Sequence, residues 1–285
     1  MSKVTLISTV FNEAGSIQRF CDSILIQTVI PDEIVIVDGG STDDTVSLIQ
    51  NALSCIGKQC SLNVIVDPLC SKKYSSGPIA RGRNVAIQNA SYNQILVTDA
   101  GCIVDKNWVK NMKACFDSGA EIVSGTYKAR VTNKFQAYIA DVFCPELPEY
   151  ISIKQFLPSS RSLGFTKDIW KKTGGYPEDS YTAEDTVFIL RAFELTDKIK
   201  IAYDAFVYWD LPKDFFEFKT KLISYGIGDG FHRLDKKKYF LRFVALVAFP
   251  LTILIMLLKR KKLIALPMYY YMLRGYCKGL RGRSL

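Results

Sequence analysis

The stretch "EIVIVDGGSTDDTVSLIQ" (residues 33–50) contains the pattern that decides the fold. A continuous apolar run ends in Asp38 and two glycines, and a helix-like segment with several possible N-cap residues follows. A run that is apolar at nearly every position is typical of a strand covered on both faces, as in a parallel sheet. The stretch therefore predicts a strand, a tight turn and a helix, in that order.

The same alternation continues through the first 130 residues. Four more short apolar runs predict strands, over residues 3–9, 62–67, 94–101 and 121–127. Helix-like segments lie between the runs, over residues 14–27, 43–53, 78–89 and 107–116. Strands that alternate with helices of this length indicate βαβ units. The predicted fold class is α/β, with a mainly parallel sheet and helices on both faces.

Polar side chains stand at the predicted carboxyl ends of four strands, namely Thr9, Asp38, Asp67 and Asp99. In open parallel sheets, ligands bind outside these strand ends. Each residue alone would be an ordinary loop residue. Four of them at one edge predict a binding site.

Two further segments carry charges that suit phosphate and hydroxyl chemistry. "SSGPIARGRNVAI" (75–87) places Arg81 and Arg83 at a predicted helix start, where guanidinium groups and the helix N-terminus both attract phosphate. "GGYPEDSYTAEDTVFILRAFE" (174–194) leads to Glu184 and Asp185 at another helix start. Acids there interact favourably with the helix dipole, but a carboxylate at a pocket edge is also a natural general base.

The ordered set "STVFNE", "VDGGSTDDT", "ARGRN", "TDAG" and "GGYPE…AED" resembles family 2 glycosyltransferases of the GT-A fold, over about residues 3–230. The resemblance implies an inverting transfer of a sugar from a nucleoside-diphosphate donor. It assigns Thr9, Glu13 and Asp38 to the nucleotide pocket. Asp67 and Arg83 would lie beside the base and diphosphate, with Arg81 as a further phosphate-binding residue. Asp99 would serve the ribose, diphosphate and metal, Asp185 would be the catalytic base, and Glu184 would help to hold the acceptor.

The sequence departs from the family pattern at the aspartate pairs. Gly39 and Gly101 stand where a second aspartate is common, and Trp209 or Asp210 stands where some relatives supply a histidine ligand. Mg²⁺ is often bound through one or two carboxylates plus waters and substrate phosphates, so Asp99 alone could anchor it weakly. The expectation is a divalent cation, Mg²⁺ or Mn²⁺, on Asp99. Two alternatives stay open: Asp105 contributes to the cation site, or Arg81 and Arg83 carry more of the diphosphate charge.

The last 75 residues differ from the rest in charge and hydropathy. Residues 211–285 hold 16 Lys and Arg against 4 Asp and Glu. They also contain apolar runs at 243–258 and 263–273, bordered by basic clusters. This composition favours membrane lipids over nucleic acid as the partner. Spanning and shallow insertion through residues 239–273 both stay open. "YGIGDG" (225–230) resembles a stretch of membrane-associated family members, and a flexible turn is the alternative.

The cysteine and histidine content argues against zinc. None of the eight cysteines forms a Cys-x-x-Cys pair, and His232 is the only histidine. The chain begins without an apolar signal region, so the expected location is the cytoplasmic face of a membrane.

These observations predict a catalytic domain over residues 1–230, with a donor half (1–130) and an acceptor half (131–230). A membrane-associating tail would occupy residues 231–285, and residues 131–161 would be irregular loops. The acceptor would be a hydroxyl of a glycan or of a lipid-linked acceptor. Two alternatives stay open: a nucleotidyltransferase, and a non-catalytic scaffold that binds sugar nucleotides.

Overall fold

Eight strands form one sheet in the computed structural model, which describes residues 2–57, 59–145, 156–260 and 262–282. The strands are β1 (Val4–Val10), β2 (Glu33–Asp38), β3 (Ser61–Val66), β4 (Gln94–Val97), β5 (Cys102–Val104), β6 (Ile122–Arg130), β7 (Leu163–Thr166) and β8 (Ile199–Asp210). The helices are α1 (Ile17–Leu25), α2 (Thr45–Leu53), α3 (Pro78–Asn89), α4 (Trp108–Asp117), α5 (Lys134–Phe143), α6 (Lys167–Thr173), α7 (Glu184–Phe193), α8 (Phe215–Phe231), α9 (Lys236–Val247), α10 (Phe249–Leu258) and α11 (Ala265–Gly279).

The sheet is mixed, with the strand order β3-β2-β1-β4-β7-β6-β8-β5. β1 pairs in parallel with β2 and β4, and β2 pairs in parallel with β3. β7 is antiparallel to β4 and β6, and β5 is antiparallel to β8. The prediction of a mainly parallel sheet is therefore correct for the first half only. β2 is buried at every position, whereas buried and exposed positions are interspersed along β8, which is typical of a strand with one solvated face.

The predicted helices of the first half are present. α3 has the predicted bounds, and Pro78 occupies its first turn, where the missing N–H is not needed. α1 and α2 begin three and two residues later than predicted. The predicted loop over residues 131–161 is wrong in part, because α5 lies inside it, and residues 146–155 lie outside the described residues.

An apolar core fixes the segment that precedes α7. Phe188 of α7 packs against two other rings. Its centroid lies 4.3 Å from that of Tyr176, in a stacked pair, and 4.8 Å from that of Phe165 of β7, in an edge-on pair. All three are buried and join a cluster with strand residues such as Val35 and Val97. Tyr176 belongs to the "GGYP" turn, so this packing anchors the turn on the sheet.

The chain divides into two compact units. The first comprises Met1–Lys128, Leu147–Asp179 and Glu184–Asp210, and the second comprises Ala129–Glu146, Ser180–Ala183 and Leu211–Leu285. The predicted boundary at residue 230 falls inside α8, and the predicted division into a catalytic domain and a tail stays a prediction.

Glycines bring α8 and α11 into backbone contact within the second unit. A Cβ on Gly226 would lie 2.2 Å from the Met272 carbonyl oxygen, and one on Gly275 would lie 2.3 Å from the Ile223 carbonyl oxygen. Gly230 faces Tyr276 in the same way, so later residues of one helix face later residues of the other. The "YGIGDG" segment is therefore part of a helix–helix interface, and the alternative of a flexible turn is wrong.

The helices α9 and α10 carry the long apolar run of the tail. In the described part of the chain, no single helix combines the length and apolarity of a membrane span. α9 and α10 meet those criteria only when taken together, and they are bent by 100° relative to each other.

We expect Gly226→Ala to destabilise the second unit by about 1–3 kcal/mol, because a methyl group would overlap a backbone carbonyl. In an open helix the same change would stabilise by roughly 1 kcal/mol, so the sign of the effect reports the close packing. Gly15→Ala is the control, since a Cβ there meets nothing within 4 Å. Thermal unfolding of both variants measures the difference. A Gly226→Ala protein as stable as the parent would contradict the described interface.

Candidate active site

The carboxyl ends of β1, β2 and β3 bring three predicted site residues to one edge of the sheet. Thr9 pairs with Val37, and Asp38 pairs with Val10 and Val66. The Asp67 N–H donates to the Asp38 carbonyl at 2.8 Å, directly after β3. Asp99 follows β4, which pairs in parallel with β1. The structure thus places the four strand-end residues at the same edge, as predicted; their roles stay predictions.

Three of the predicted nucleotide-binding acids shape their own turns. Asp38 is fully buried, and its Oδ2 accepts hydrogen bonds from the N–H groups of Gly40 and Ser41 at 2.9 and 2.8 Å. Asp67 Oδ1 accepts from the Leu69 N–H at 3.0 Å and begins a short 3₁₀ turn. The Glu13 carboxylate accepts from the Ser16 hydroxyl beside the start of α1. These contacts indicate that the three side chains stabilise the turns that line this edge of the sheet.

Steric crowding explains why position 39 is a glycine. A Cβ at this position would lie 2.8 Å from the Cys70 carbonyl oxygen, so the backbone of the neighbouring turn occupies the space that a side chain would need. The second aspartate of the family pattern does not fit at position 39 without movement of that turn. Local packing therefore accounts for the glycine.

Arg83 joins two of the predicted functional carboxylates. Its Nη2 donates to Asp99 Oδ1 at 2.8 Å, and its Nη1 donates to Glu184 Oε1 at 2.7 Å. The Arg83 and Glu184 side chains are 5 and 9% exposed, whereas Asp99 is 38% exposed. Arg83 therefore serves as a buried bridge between the loop after β4 and the start of α7. Arg81 pairs instead with Glu178 at 3.7 Å.

Burial controls the ionisation of this bridge. Desolvation by itself would lower the pKa of Arg83, but the Asp99 and Glu184 carboxylates raise that pKa above its usual value, so the guanidinium stays charged. Burial, aided by the Asp185 charge, raises the pKa of Glu184 to about 7, and Arg83 opposes this rise. The charge on Glu184 at neutral pH therefore depends on Arg83.

Asp185, the predicted base, lies at the first turn of α7. Its Oδ2 accepts from the Ser159 hydroxyl at 3.2 Å and from the Ser160 N–H at 3.3 Å, and its Oδ1 accepts from the Thr186 N–H at 2.8 Å. The side chain is therefore held in one orientation. It is half-buried, so solvent and ligand can reach it.

Arg161 completes the cluster, and the sequence analysis did not find it. Its guanidinium lies over the Trp209 ring, 4.0 Å from the centroid, and its Nε lies 3.9 Å from Asp99 Oδ2. Its Nη1 donates to the Ser159 hydroxyl at 3.1 Å. Ser159 thus contacts both Arg161 and the base Asp185. The available signal was an arginine between serines directly before the apolar run 163–166.

Asn84 ties α3 to the "GGYPE" turn, and it too was missed. Its amide nitrogen donates to the Tyr176 carbonyl at 2.9 Å and to Glu178 Oε1 at 2.8 Å. Its Oδ1 accepts from the Trp170 indole N–H and from the Tyr176 N–H, each at 2.9 Å. One buried amide therefore fixes the turn that leads towards Glu184 and Asp185.

The residues around Asp99 do not fit a metal site held by the protein. Both oxygens of Asp99 face guanidinium groups, those of Arg83 and Arg161. Across residues 2–57, 59–145, 156–260 and 262–282, no three His, Cys, Asp or Glu side chains come together as a ligand group. A cation bound to Asp99 would have to share this carboxylate with the two guanidinium groups. The predicted metal role of Asp99 is therefore not supported by its surroundings.

The mixed sheet resembles the GT-A fold of the structural neighbours named below. Comparison with known proteins gives the family: a profile of glycosyl transferase family 2 matches residues 5–174. The chain belongs to this family, which confirms the expected family and the prediction of a glycosyltransferase at that level.

Individual relatives are distant. The chain is 23% identical over 223 residues to the O-antigen chain rhamnosyltransferase RfbN of Salmonella typhimurium, a match that covers 72% of this chain and 65% of RfbN. The chain thus spans slightly less than two thirds of that relative's length. The mannosyltransferase PcManGT of Pyrobaculum calidifontis, solved with GDP-Man and Mn²⁺, has a TM-score of 0.71 at 18% identity over 99% of this chain and 88% of PcManGT. S. aureus TarS 1-349 with UDP-GlcNAc has a TM-score of 0.58 at 20% identity, over 97 and 81% of the two chains.

We expect Glu184→Ala to lower the free energy of unfolding by about 3 kcal/mol, because it removes one partner of a buried guanidinium. Arg83 keeps Asp99 as a partner in this variant. The expected loss of stability is therefore at the low end of the range for buried ion pairs. Lys198→Ala, which breaks the exposed pair with Glu121, is the control and should change stability by less than about 0.5 kcal/mol. Denaturant unfolding compares the two. Equal effects would show that the Arg83 bridge contributes no more than a surface pair.

Proposed function

We propose that this protein is an inverting glycosyltransferase that moves a sugar from a nucleoside-diphosphate donor to a hydroxyl of a glycan or lipid-linked acceptor. The carrying observation is the chain of contacts from Asp185 through Ser159 to Arg161 and on to Asp99. These contacts hold the Asp185 carboxylate close to the positive charge of Arg161 at the carboxyl edge of the sheet. An acceptor proton and a leaving diphosphate need these two kinds of group.

The reaction is a single displacement at the anomeric carbon. Asp185 takes the proton of the acceptor hydroxyl as its oxygen bonds to that carbon, and the bond to the diphosphate oxygen breaks. The Glu184–Arg83 pair holds α7 in place and so positions Asp185. Family membership supports the sugar donor, and the UDP-GlcNAc and GDP-Man complexes of TarS and PcManGT motivate the choice of donors to test.

Asp185→Asn should reduce sugar transfer by about 10²–10⁴-fold, because asparagine cannot accept the acceptor proton. The assay measures release of nucleoside diphosphate from UDP-, GDP- and dTDP-linked hexoses by parent and variant. Donor binding, followed as a rise in thermal stability, should persist in the variant. Parent-like turnover in a folded Asp185→Asn protein would remove Asp185 from the role of base.

The same assay separates the two alternative functions. A nucleotidyltransferase would release pyrophosphate from a nucleoside triphosphate and a sugar phosphate. A scaffold would bind a donor and turn over none, with or without Mg²⁺ or Mn²⁺. Either result would overturn the proposed transfer.

We also propose that the tail binds the cytoplasmic face of an anionic membrane. α9 and α10 expose large apolar side chains along both helices, namely Phe240, Leu241, Phe243, Val244, Val247, Phe249, Leu251, Leu254, Ile255, Leu257 and Leu258. Lys236–Lys238 and Lys259–Arg260 flank this apolar surface. Exposed apolar side chains bordered by lysine and arginine suit the boundary between lipid headgroups and acyl chains.

Replacing Val247 and Leu254 by glutamate should abolish binding to vesicles that contain phosphatidylserine, because both side chains are more than half exposed on α9 and α10. Vesicle flotation measures the bound fraction. Leu195→Glu, at an exposed apolar position in the first unit, is the control and should bind like the parent. Unchanged flotation of the double variant would contradict a lipid-binding role for α9 and α10.

A further inference from the structure

Arg242 is a buried cation in the middle of α9, the first of the two apolar helices. The residue is 8% exposed, whereas its neighbours Phe240 and Leu241 are more than half exposed. Its guanidinium carbon lies 4.5 Å from the centre of the Tyr239 ring. That ring stacks in turn on Tyr276 of α11, with the two centroids 3.9 Å apart. The Arg242 side chain is therefore turned towards the second unit, on a helix that exposes apolar side chains.

The hydrogen bonds of this guanidinium are incomplete. Among the described residues, the buried Arg242 Nη1 has no hydrogen-bond partner. An aromatic face holds a cation by its quadrupole, but it leaves such an N–H group unsatisfied. A buried donor of a charged group without a partner raises the free energy of the folded state. The orphaned nitrogen therefore indicates that this side chain has a further partner in the working protein.

The acid of this cluster is a weak counter-ion for Arg242. The Asp229 carboxylate of α8 interacts with the guanidinium electrostatically, but it accepts its hydrogen bond from the Tyr239 hydroxyl, at 2.6 Å. Burial raises the pKa of Asp229, and this favours its uncharged form. Arg242 therefore retains attraction for a stronger anion.

The position of Arg242 on α9 indicates what kind of anion can reach it. Apolar side chains exposed along α9 precede and follow it in the sequence, and the basic segment Lys236–Lys238 begins the same helix. A charged residue within an apolar, membrane-binding segment is expected to have a functional partner there. The arginine stem can carry its guanidinium outwards to the headgroup level, where phosphate oxygens match the guanidinium fork. An anion that arrives with acyl chains suits these surroundings.

We propose that Arg242 binds the phosphomonoester group of an anionic membrane lipid. The inference rests on the proposed binding of the tail to a membrane. In the free protein the guanidinium lies on the Tyr239 ring. At the bilayer it leaves the ring and donates two parallel hydrogen bonds to phosphate oxygens, one of them from Nη1. The donor that lacks a partner in the free protein thereby gains one, which favours the lipid-bound position.

Vesicle flotation measures the preference for a phosphomonoester. One set of phosphatidylcholine vesicles contains phosphatidic acid, and a second set contains phosphatidylserine at the same surface charge. The parent should bind the first set about five- to tenfold more tightly, as for charge-assisted hydrogen bonds less the lost ring contact. Arg242→Gln should bind both sets alike, and Arg242→Lys should keep part of the preference. Loss of the parent's preference in excess inorganic phosphate would overturn a lipid as the ligand.

Arg242→Met separates a binding role from a structural one. Replacement of an incompletely paired buried charge by an apolar side chain is often neutral or stabilising. Without lipid, the Tm of this variant should therefore equal or exceed that of the parent, while the preference for phosphatidic acid is lost. A large decrease in Tm would show that Arg242 stabilises the fold in its position on Tyr239, and it would overturn the proposal.

Arg274→Gln is the matched control, since Arg274 is exposed on α11 in the same unit. It removes the same formal charge and should weaken binding to both vesicle sets equally, with the preference intact. A parent without a preference, or an Arg242→Gln protein that keeps it, would overturn the inference and leave membrane binding standing. If the parent floated with neither vesicle set, the proposed binding of the tail to a membrane would itself fail.

Discussion

A buried guanidinium that two carboxylates must neutralise is the constraint on which the site depends. Arg83 brings its charge to a place that water scarcely reaches, and Asp99 and Glu184 approach it from the loop after β4 and from the first turn of α7. Loss of either carboxylate would leave the guanidinium with one partner in place of two, in a medium of low dielectric constant. The bridge therefore ties the first turn of α7, and with it Asp185, to the loop after β4.

The same bridge changes the interpretation of Asp99 as a metal ligand. At a strand end, an aspartate followed by alanine and glycine has the appearance of half a metal site. In the folded chain its oxygens face Arg83 and Arg161, and Trp209 supports the second arginine. The lack of a carboxylate at Gly101 and the presence of the Arg161 guanidinium thus both reduce the negative charge around Asp99. An aspartate between two guanidinium groups attracts a cation less strongly than an unpaired carboxylate does.

Sequence reasoning identified the parallel half of the sheet because each strand and its turn are encoded in consecutive residues. Asp38 with its two glycines, and Pro78 before α3, are local signals. Arg161 and Ser159 were not identified because they reach the edge beside β7, whose antiparallel pairing with β4 joins distant segments. Sequence reasoning identified Arg83 as a candidate site residue but not Asp99 and Glu184 as its partners, since a sequence does not show which charges lie opposite one another. Gly39 likewise has a cause, the Cys70 carbonyl, that only the folded chain reveals.

The glycine interface between α8 and α11 limits the paths open to the apolar helices between them. α9 and α10 connect the end of α8 to the start of α11, and α8 and α11 touch backbone to backbone. Both ends of this segment are therefore joined to one helix pair. While α8 and α11 stay packed together outside a bilayer, the segment can make only an even number of crossings. The apolar segment between these fixed ends is bent by 100° between α9 and α10.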